Sequence, residues 1–564
     1  MNTKIFLAAI SLSIALSACN SDDGNDAEDN VITTEVVKTN AEAIALGNGV
    51  YGPLQTLSSS FSFLLESTSE TTISFEGAED IEGPLASRLQ TDPANWYTEK
   101  IYTRLYSSIG AANIAIEKLD SSKVTAKISQ ETKDLVKARV KLIRALAYLY
   151  LVQLYGEVPL VVSTATPVNT TRNSIDEVYA QIIQDLTEAE ADLPDFDNTR
   201  SNPSKGAANA LLARAYLTWG QNPLSQSQVQ DIAGGTTDPP HTVNSERLQK
   251  AIEYADKVIG SGNYALLEDY NKNFGVGGEN QGTEHILTIH HDGDGDNLDV
   301  QGNHQTHCPF TERFDLWTDN HIGPADVTLV NIFDNSDKRK LYSIVTELYN
   351  ANEPQAGATP PYKKYEYAFP VTSPRFGKFI HRKGYTADSR EVAPGTEEGQ
   401  PNNINRIEIR YAEVLLYKAE ALLFLNRASE ALPLVNQLRS RAGVTPLATL
   451  TEADLYKEWY LELSFEQKQW TNLARWKTLL STIRTKVPTY EYYKEDYKDE
   501  AAVKTTAKAL NPSLTDSDIN AAFFAKIYKH LHAKVDNVKG KHYRFPIPTN
   551  GGINAGVSPQ NPGY

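Results

Sequence analysis

The chain has 564 residues, of which 40% are apolar and 22% charged, and carries a formal net charge of −17. That apolar content suffices for a large core or for more than one domain. The negative balance disfavours non-specific binding to nucleic acid or to an anionic bilayer, although it leaves a local basic pocket open.

The first residues read as a leader. Lys4 supplies a basic start, Ile5 to Leu16 form an apolar stretch, and Leu16-Ser17-Ala18-Cys19 closes it. A membrane-spanning helix needs roughly 20 apolar residues, so this stretch is too short to span. With small residues at the cut site, it reads as a secretory signal over residues 1–18. A terminal cysteine is not needed in a soluble secreted protein, and the segment resembles a bacterial lipoprotein signal in which Cys19 becomes the lipid-bearing N-terminus. Removing Lys4 takes the formal charge from −17 to −18. Cys308 is then the one thiol left, which excludes an intramolecular disulfide and leaves stability to packing.

Asp22, Asp23, Asp26, Glu28 and Asp29 follow with almost nothing apolar between them. Such a stretch cannot bury enough surface to fold, so residues 19–40 are expected to be an acidic tether. An acidic run behind a lipidated cysteine also resembles the surface-export signal of Bacteroidetes lipoproteins; a plain solvated spacer fits the run equally well.

Long helical patterns come next. Asp92-Pro93 is expected to start a helix, with Ile101, Leu105, Ile109, Ala112 and Ile116 on its buried face. Leu135 to Tyr155 repeats that spacing and stops at Gly156, where a helix end is expected. Val158 to Val162 then runs extended.

Two helix pairs are expected downstream, Lys205 to Trp219 with Glu246 to Ile259, and Ile409 to Leu425 with Ala428 to Ala442. Ala207, Ala210, Ala213, Ala251, Ala255, Ala412, Ala419, Ala421, Ala428 and Ala431 provide small contact positions. These look like tetratricopeptide-type hairpins without a regular period. The fold class expected is mainly α, a tetratricopeptide-like hairpin scaffold with loop-rich and short-strand insertions. Residues 270–405 differ, with a short strand expected at Glu284 to His290 among Gly, Asn, Pro and Asp. Loops this long are usually functional or disordered.

Five segments carry a more specific signal. They are Tyr155-Gly156-Glu157-Val158-Pro159-Leu160-Val161, Leu329 to Phe333 with Asp337-Lys338-Arg339, and Ile409 to Leu416 running on to Ala419-Glu420-Ala421. Leu434 to Gly443 follows. The C-terminal group holds Glu462 to Glu466, Trp470, Arg475-Trp476, Pro546-Ile547-Pro548 and Gln560 to Tyr564. In this order, behind the leader, they resemble the SusD/RagB family of outer-membrane nutrient-binding lipoproteins. Gln469 and Asn472 depart from the family pattern around Trp470. The resemblance implies one SusD-like domain over residues 41–564. It also implies glycan capture at the cell surface and a SusC-like TonB-dependent transporter as partner, with the protein held in the outer membrane by its lipid anchor. Oligopeptide capture is the alternative within the family, and a surface polysaccharide hydrolase the alternative outside it.

The motif residues themselves read as structural. Glu413, Glu420, Arg439 and Arg441 are expected to join paired helices through charge pairs, and Trp470 and Trp476 to lie in the core. No metalloprotease, nucleophile-elbow or phosphate-loop motif is present, and no catalytic residue or cofactor is assigned. Asp292, Asp294 and Asp296 resemble the start of a calcium loop, but Asn297 and Asn303 stand where Gly and Glu are needed. An acidic surface loop is the preferred reading, with weak calcium binding left open. His290, His291, His304, His307 and Cys308 fit no zinc spacing.

Loop aromatics are the candidates for ligand contact. A sugar offers an apolar C–H face and a polar rim, and aromatic rings supply matching area with little entropy to lose. Asn95, Trp96 and Tyr97 form one candidate group and Arg313, Asp315 and Trp317 a second. Tyr365 and Tyr367, inside the run from Tyr362 to Phe369, form a third.

Overall fold

Side-chain caps set where the long helices begin. In the computed structural model the chain is described over residues 37–72, 82–121, 127–165, 171–198, 202–274, 282–290, 332–345, 349–354, 356–357, 362–364, 375–376, 391–392, 405–489, 501, 504–505, 508, 530–549 and 559–564. Helix α1 (Asn40–Asn48) starts at Thr39, α2 (Trp96–Asp120) at Asn95, and α3 (Gln130–Tyr155) at Ser129. Helix α4 (Ile175–Asp192) starts in a capping box between Ser174 and Glu177. In each case a side-chain oxygen accepts a free N–H of the first turn. Asp92-Pro93 does not start α2 as expected. The Asp92 carboxylate accepts from Ala94 N at 2.8 Å in a turn, and Asn95 takes the cap by accepting from Thr98 N.

Helices α5 (Lys205–Gly220), α6 (Ser245–Gly260), α7 (Tyr411–Phe424) and α8 (Ala428–Ala442) complete the scaffold. From α2 to α8 each helix packs on the next, so the hairpins stack as a helical-repeat array. Ala207, Ala210, Ala213, Ala251, Ala255, Ala412, Ala419, Ala421 and Ala431 are all fully buried, as close helix approach requires. Ala428 is the exception and is half-buried.

The strand expected at Glu284 to His290 is β1 (His285–Ile289), paired antiparallel with β2 (Arg406–Arg410). Ile409 and Arg410 therefore belong to a strand, not to the helix expected from Ile409. Pairing with a segment more than a hundred residues earlier overrides their local helical pattern, and Tyr411 N donates to Glu284 O at 2.8 Å where α7 begins. Both strands are buried along their whole length.

The motif segments converge on three joints. At the first, Gly156 ends α3 with φ +77, and a Cβ there would fall inside the Arg544 guanidinium. Arg544 pairs with Glu157, and Phe545 N donates to Leu154 O at 2.9 Å. Asn561 Nδ2 donates to Tyr155 O at 2.9 Å and to Phe545 O at 2.7 Å. The second joint is a buried ion network. Arg410 meets Glu284 at 2.7 Å, Glu462 at 2.5 Å and Glu466 at 2.9 Å, while Arg339 meets Asp337, Glu458 and Glu462. At the third, Glu420 accepts from Arg475 Nε at 2.8 Å, Arg475 Nη2 at 2.9 Å and Trp476 Nε1 at 3.0 Å.

Glu413, Glu420, Arg439 and Arg441 thus do join elements through charge, but with partners other than one another. Glu413 pairs with Lys468, Arg439 with Glu458, and Arg441 with Glu284 and Glu462. Trp470 and Trp476 are buried, as expected.

Candidate ligand-binding site

Helices α9 (Glu452–Leu463), α10 (Gln469–Trp476) and α11 (Leu479–Lys486) follow the scaffold and enclose a cleft of about 580 Å³. Ligand pockets commonly occupy about 300–1,000 Å³. Ala453, Tyr456, Lys457 and Tyr460 of α9 line it at intervals of three and four residues, the spacing of one helix face. Thr478, Ser481, Thr482 and Thr485 line it at the same intervals along α11 and its entry. The first stripe carries two tyrosines and the Lys457 ammonium, and the second is hydroxyl-bearing throughout. Leu473 and Trp476 of α10 also line it, with Glu70 and Gln469 as further polar groups.

The aromatic wall is held in place. Tyr456 stacks on Trp476 with ring centroids 4.0 Å apart and planes 21° apart, and Trp459 meets Trp476 edge-on at 6.3 Å. The Trp476 indole N–H is bound by Glu420, so the ring beneath Tyr456 cannot rotate without losing that bond. Tyr456 itself is half-buried. Burial raises its phenol above the usual range, ahead of the effects of Glu420 and Glu452, so it remains a neutral O–H donor. Burial likewise raises the Glu70 carboxyl, which accepts from Gln469 Nε2 at 2.5 Å. Fixed aromatic area beside hydroxyl, amide and carboxyl groups suits a ligand that is apolar on one face and rich in hydroxyls on its rim.

The residues singled out in the sequence fall differently. Asn95 is buried, donating through Nδ2 to the Glu82 carboxylate at 2.7 Å while capping α2. Tyr97 is 5% exposed. Neither has surface to offer a sugar, because the cap and the core packing of α2 claim them. Trp96 is half-buried, edge-on to Tyr97 at 4.9 Å and covered on its ring by the Lys100 ammonium at 4.5 Å. Arg313, Asp315, Trp317, Tyr365 and Tyr367 lie outside the described residues, as do Cys19 and the Asp292, Asp294 and Asp296 loop. Among the described residues no group of His, Cys, Asp and Glu could hold a metal ion, and no helix is long and apolar enough to cross a membrane.

Sequence reading did not single out Tyr456, Tyr460 or the α11 hydroxyls. The available signal was the spacing of the two stripes. An aromatic stripe at helical spacing ordinarily marks a core, and only the packing of α9 to α11 leaves this one lining a cleft.

The fold is a helical-repeat scaffold with a cleft beside it, and comparisons with known proteins define its class. Residues 225–564 match the SusD family, and residues 57–217 match a family described as "Starch-binding associating with outer membrane". The chain belongs to the SusD family. SusD-like protein P2 of Formosa agariphila is 27% identical over 407 residues, covering 68% of this chain and 72% of the relative. The starch-binding protein SusD of Bacteroides thetaiotaomicron is 25% identical over 447 residues, covering 72% and 75%. Among solved structures, a laminarin-binding SusD-like protein superposes with a TM-score of 0.65 at 21% identity, covering 93% of this chain and all of that one. A SusD homologue from Bacteroides thetaiotaomicron gives 0.65 at 21% identity, covering 94% and 98%.

Proposed function

We propose that this protein captures glycan at the cell surface and passes it to a SusC-like TonB-dependent transporter, held in the outer membrane by lipid on Cys19, and that the cleft between α9 and α11 takes a sugar unit. The cleft carries this reading. It pairs a rigid aromatic wall with a row of hydroxyls, in a chain whose relatives include proteins named for starch and laminarin binding. Binding needs no bond-making: the C–H face of the ring packs on the half-buried Tyr456, and the hydroxyls of Thr482 and Ser481 meet its rim. Trp317 with Arg313 and Asp315, and Tyr365 with Tyr367, would add contacts from the 270–405 insertions.

Calorimetry of the mature protein with starch and laminarin oligosaccharides tests this. Tyr456→Ala and Thr482→Val should each weaken binding while the far-ultraviolet spectrum is kept, the tyrosine change by about 2 kcal/mol, as central aromatic anchors do. Wild-type affinity in both variants removes the cleft from the site. Trp317→Ala run in parallel separates the insertions from the cleft, since a loss there alone moves the site to the insertions. Loss of polymer over time with purified protein would convert the reading to that of a hydrolase.

A further inference from the structure

A second cavity lies where the repeat array meets α10 and the C-terminal segment. It measures about 50 Å³ and is bounded by α3, α4, α5, α10 and Tyr543-Arg544. A cavity needs only about 10–15 Å³ of such volume to hold one water, so this one has room for a small ion with part of its hydration. Three cationic side chains, Arg475, Lys477 and Arg544, contribute to its wall, and among the described residues no carboxylate does.

The three are not equivalent. Arg475 is matched by Glu420 and Arg544 by Glu157, both lying outside the lining. Lys477 has no such match among the described residues. Its ammonium donates only to the backbone oxygens of Ala474 at 3.3 Å and Arg475 at 3.4 Å, both long for a charged donor. It is nevertheless buried, at 6% exposure. Lys477 also ends α10 in the left-handed region at φ +59, where glycine or asparagine is the usual residue. Tyr179, fully buried and lining the same cavity, carries a hydroxyl with no hydrogen-bond partner among the described residues.

We infer that this cavity holds a small monovalent anion of the halide class against Lys477, clamping the C-terminal segment to the helical array. An anion would supply the charge that Lys477 lacks and accept from its remaining N–H groups. It would also lower the mutual repulsion of three cations in a low-dielectric space. Without it, burial and then the charges of Arg475 and Arg544 push the Lys477 ammonium down to about 7. Halide binding should therefore be favoured below that pH, where the lysine is charged, and fade above it. The other titratable groups facing the site are Tyr179 and Tyr543, both raised by burial, with His241 of the neighbouring loop lowered to about 4 by burial and then Lys477. None of these three changes charge between pH 6 and 9, so Lys477 alone should set the dependence.

The test is thermal unfolding of the mature protein in sodium chloride or bromide against sodium gluconate at equal ionic strength. At pH 6 the halides should raise the midpoint saturably by about 1–3 °C relative to gluconate. The rise should shrink at pH 9 and be absent in Lys477→Met. Equal midpoints in halide and gluconate for the wild type would overturn the proposal, as would an undiminished halide effect in Lys477→Met. If that variant does not fold, crystals of the wild type grown at pH 6 and soaked in bromide decide the matter. An anomalous peak beside Lys477 Nζ sustains the site and an empty cavity refutes it.

Discussion

Replacing Glu462 by glutamine probes the buried ion network at its shared carboxylate, because the change keeps the side-chain shape while removing one charge and one acceptor oxygen. The Glu462 carboxylate accepts from Arg410 Nη1 at 2.5 Å, Arg339 Nη1 at 2.9 Å and Arg441 Nη2. Burial alone would raise this carboxyl, but the guanidiniums of Arg441, Arg410 and Arg339 override it and hold the group well below the usual carboxylate range. Glutamine keeps one acceptor oxygen and turns its amide donors toward guanidinium donors. Each arginine retains another carboxylate, Glu284 or Glu466 for Arg410 and Asp337 or Glu458 for Arg339, so the network is wounded and not abolished. Removing one partner of a buried pair costs about 3–5 kcal/mol, and Glu462→Gln should fall in that range. Urea denaturation, which leaves ion pairs unscreened, gives the value from the shift in midpoint. The pH dependence supplies an independent check. A depressed folded-state pKa stabilises fully above the unfolded value, about 4.3 for glutamate, and that stability is lost as pH falls through the folded value. Wild-type stability should therefore drop steeply from about pH 4.3 downward, and Glu462→Gln should show a shallower acid limb. A cost below about 1 kcal/mol, the level of exposed pairs, would refute the assignment of this network as a structural joint.

Two further perturbations test the scaffold and the anchor. Ala419 is fully buried between stacked helices, so Ala419→Trp should cost roughly 1–3 kcal/mol or more and lower the calorimetric midpoint; an unchanged midpoint would mean that the residue faces open space. Cys19→Ala should leave the protein folded but move it from the membrane to the soluble fraction, since stable attachment depends on acyl chains. Full membrane retention without detergent would reject lipidation at Cys19.

Helices and hairpins were legible because their signals are local. Apolar spacing in Leu135 to Tyr155, the stop at Gly156 and the alanines of α5 to α8 each lie within a few residues of what they specify. The failures share one cause. Asn95 took the cap expected of Asp92, and Ile409 and Arg410 joined a strand, because hydrogen-bond partners decided each case. The motif charges were correctly read as joints, yet their partners lie on segments far away in the chain, such as Glu284 for Arg441 and Arg475 for Glu420.

By itself, then, the sequence determined the repeat architecture, the resemblance in its motif segments and the structural nature of those motifs, all of which follow from short-range periodicity and residue type. Only the tertiary structure decided which groups have free surface. Packing buried Asn95 and Tyr97, which the sequence had offered to a ligand. It left Tyr456 and the α11 hydroxyls lining a cleft, and it gathered three cations around one cavity whose wall holds no carboxylate among the described residues. Exposure and charge matching are properties of how distant elements meet, and no local pattern encodes them.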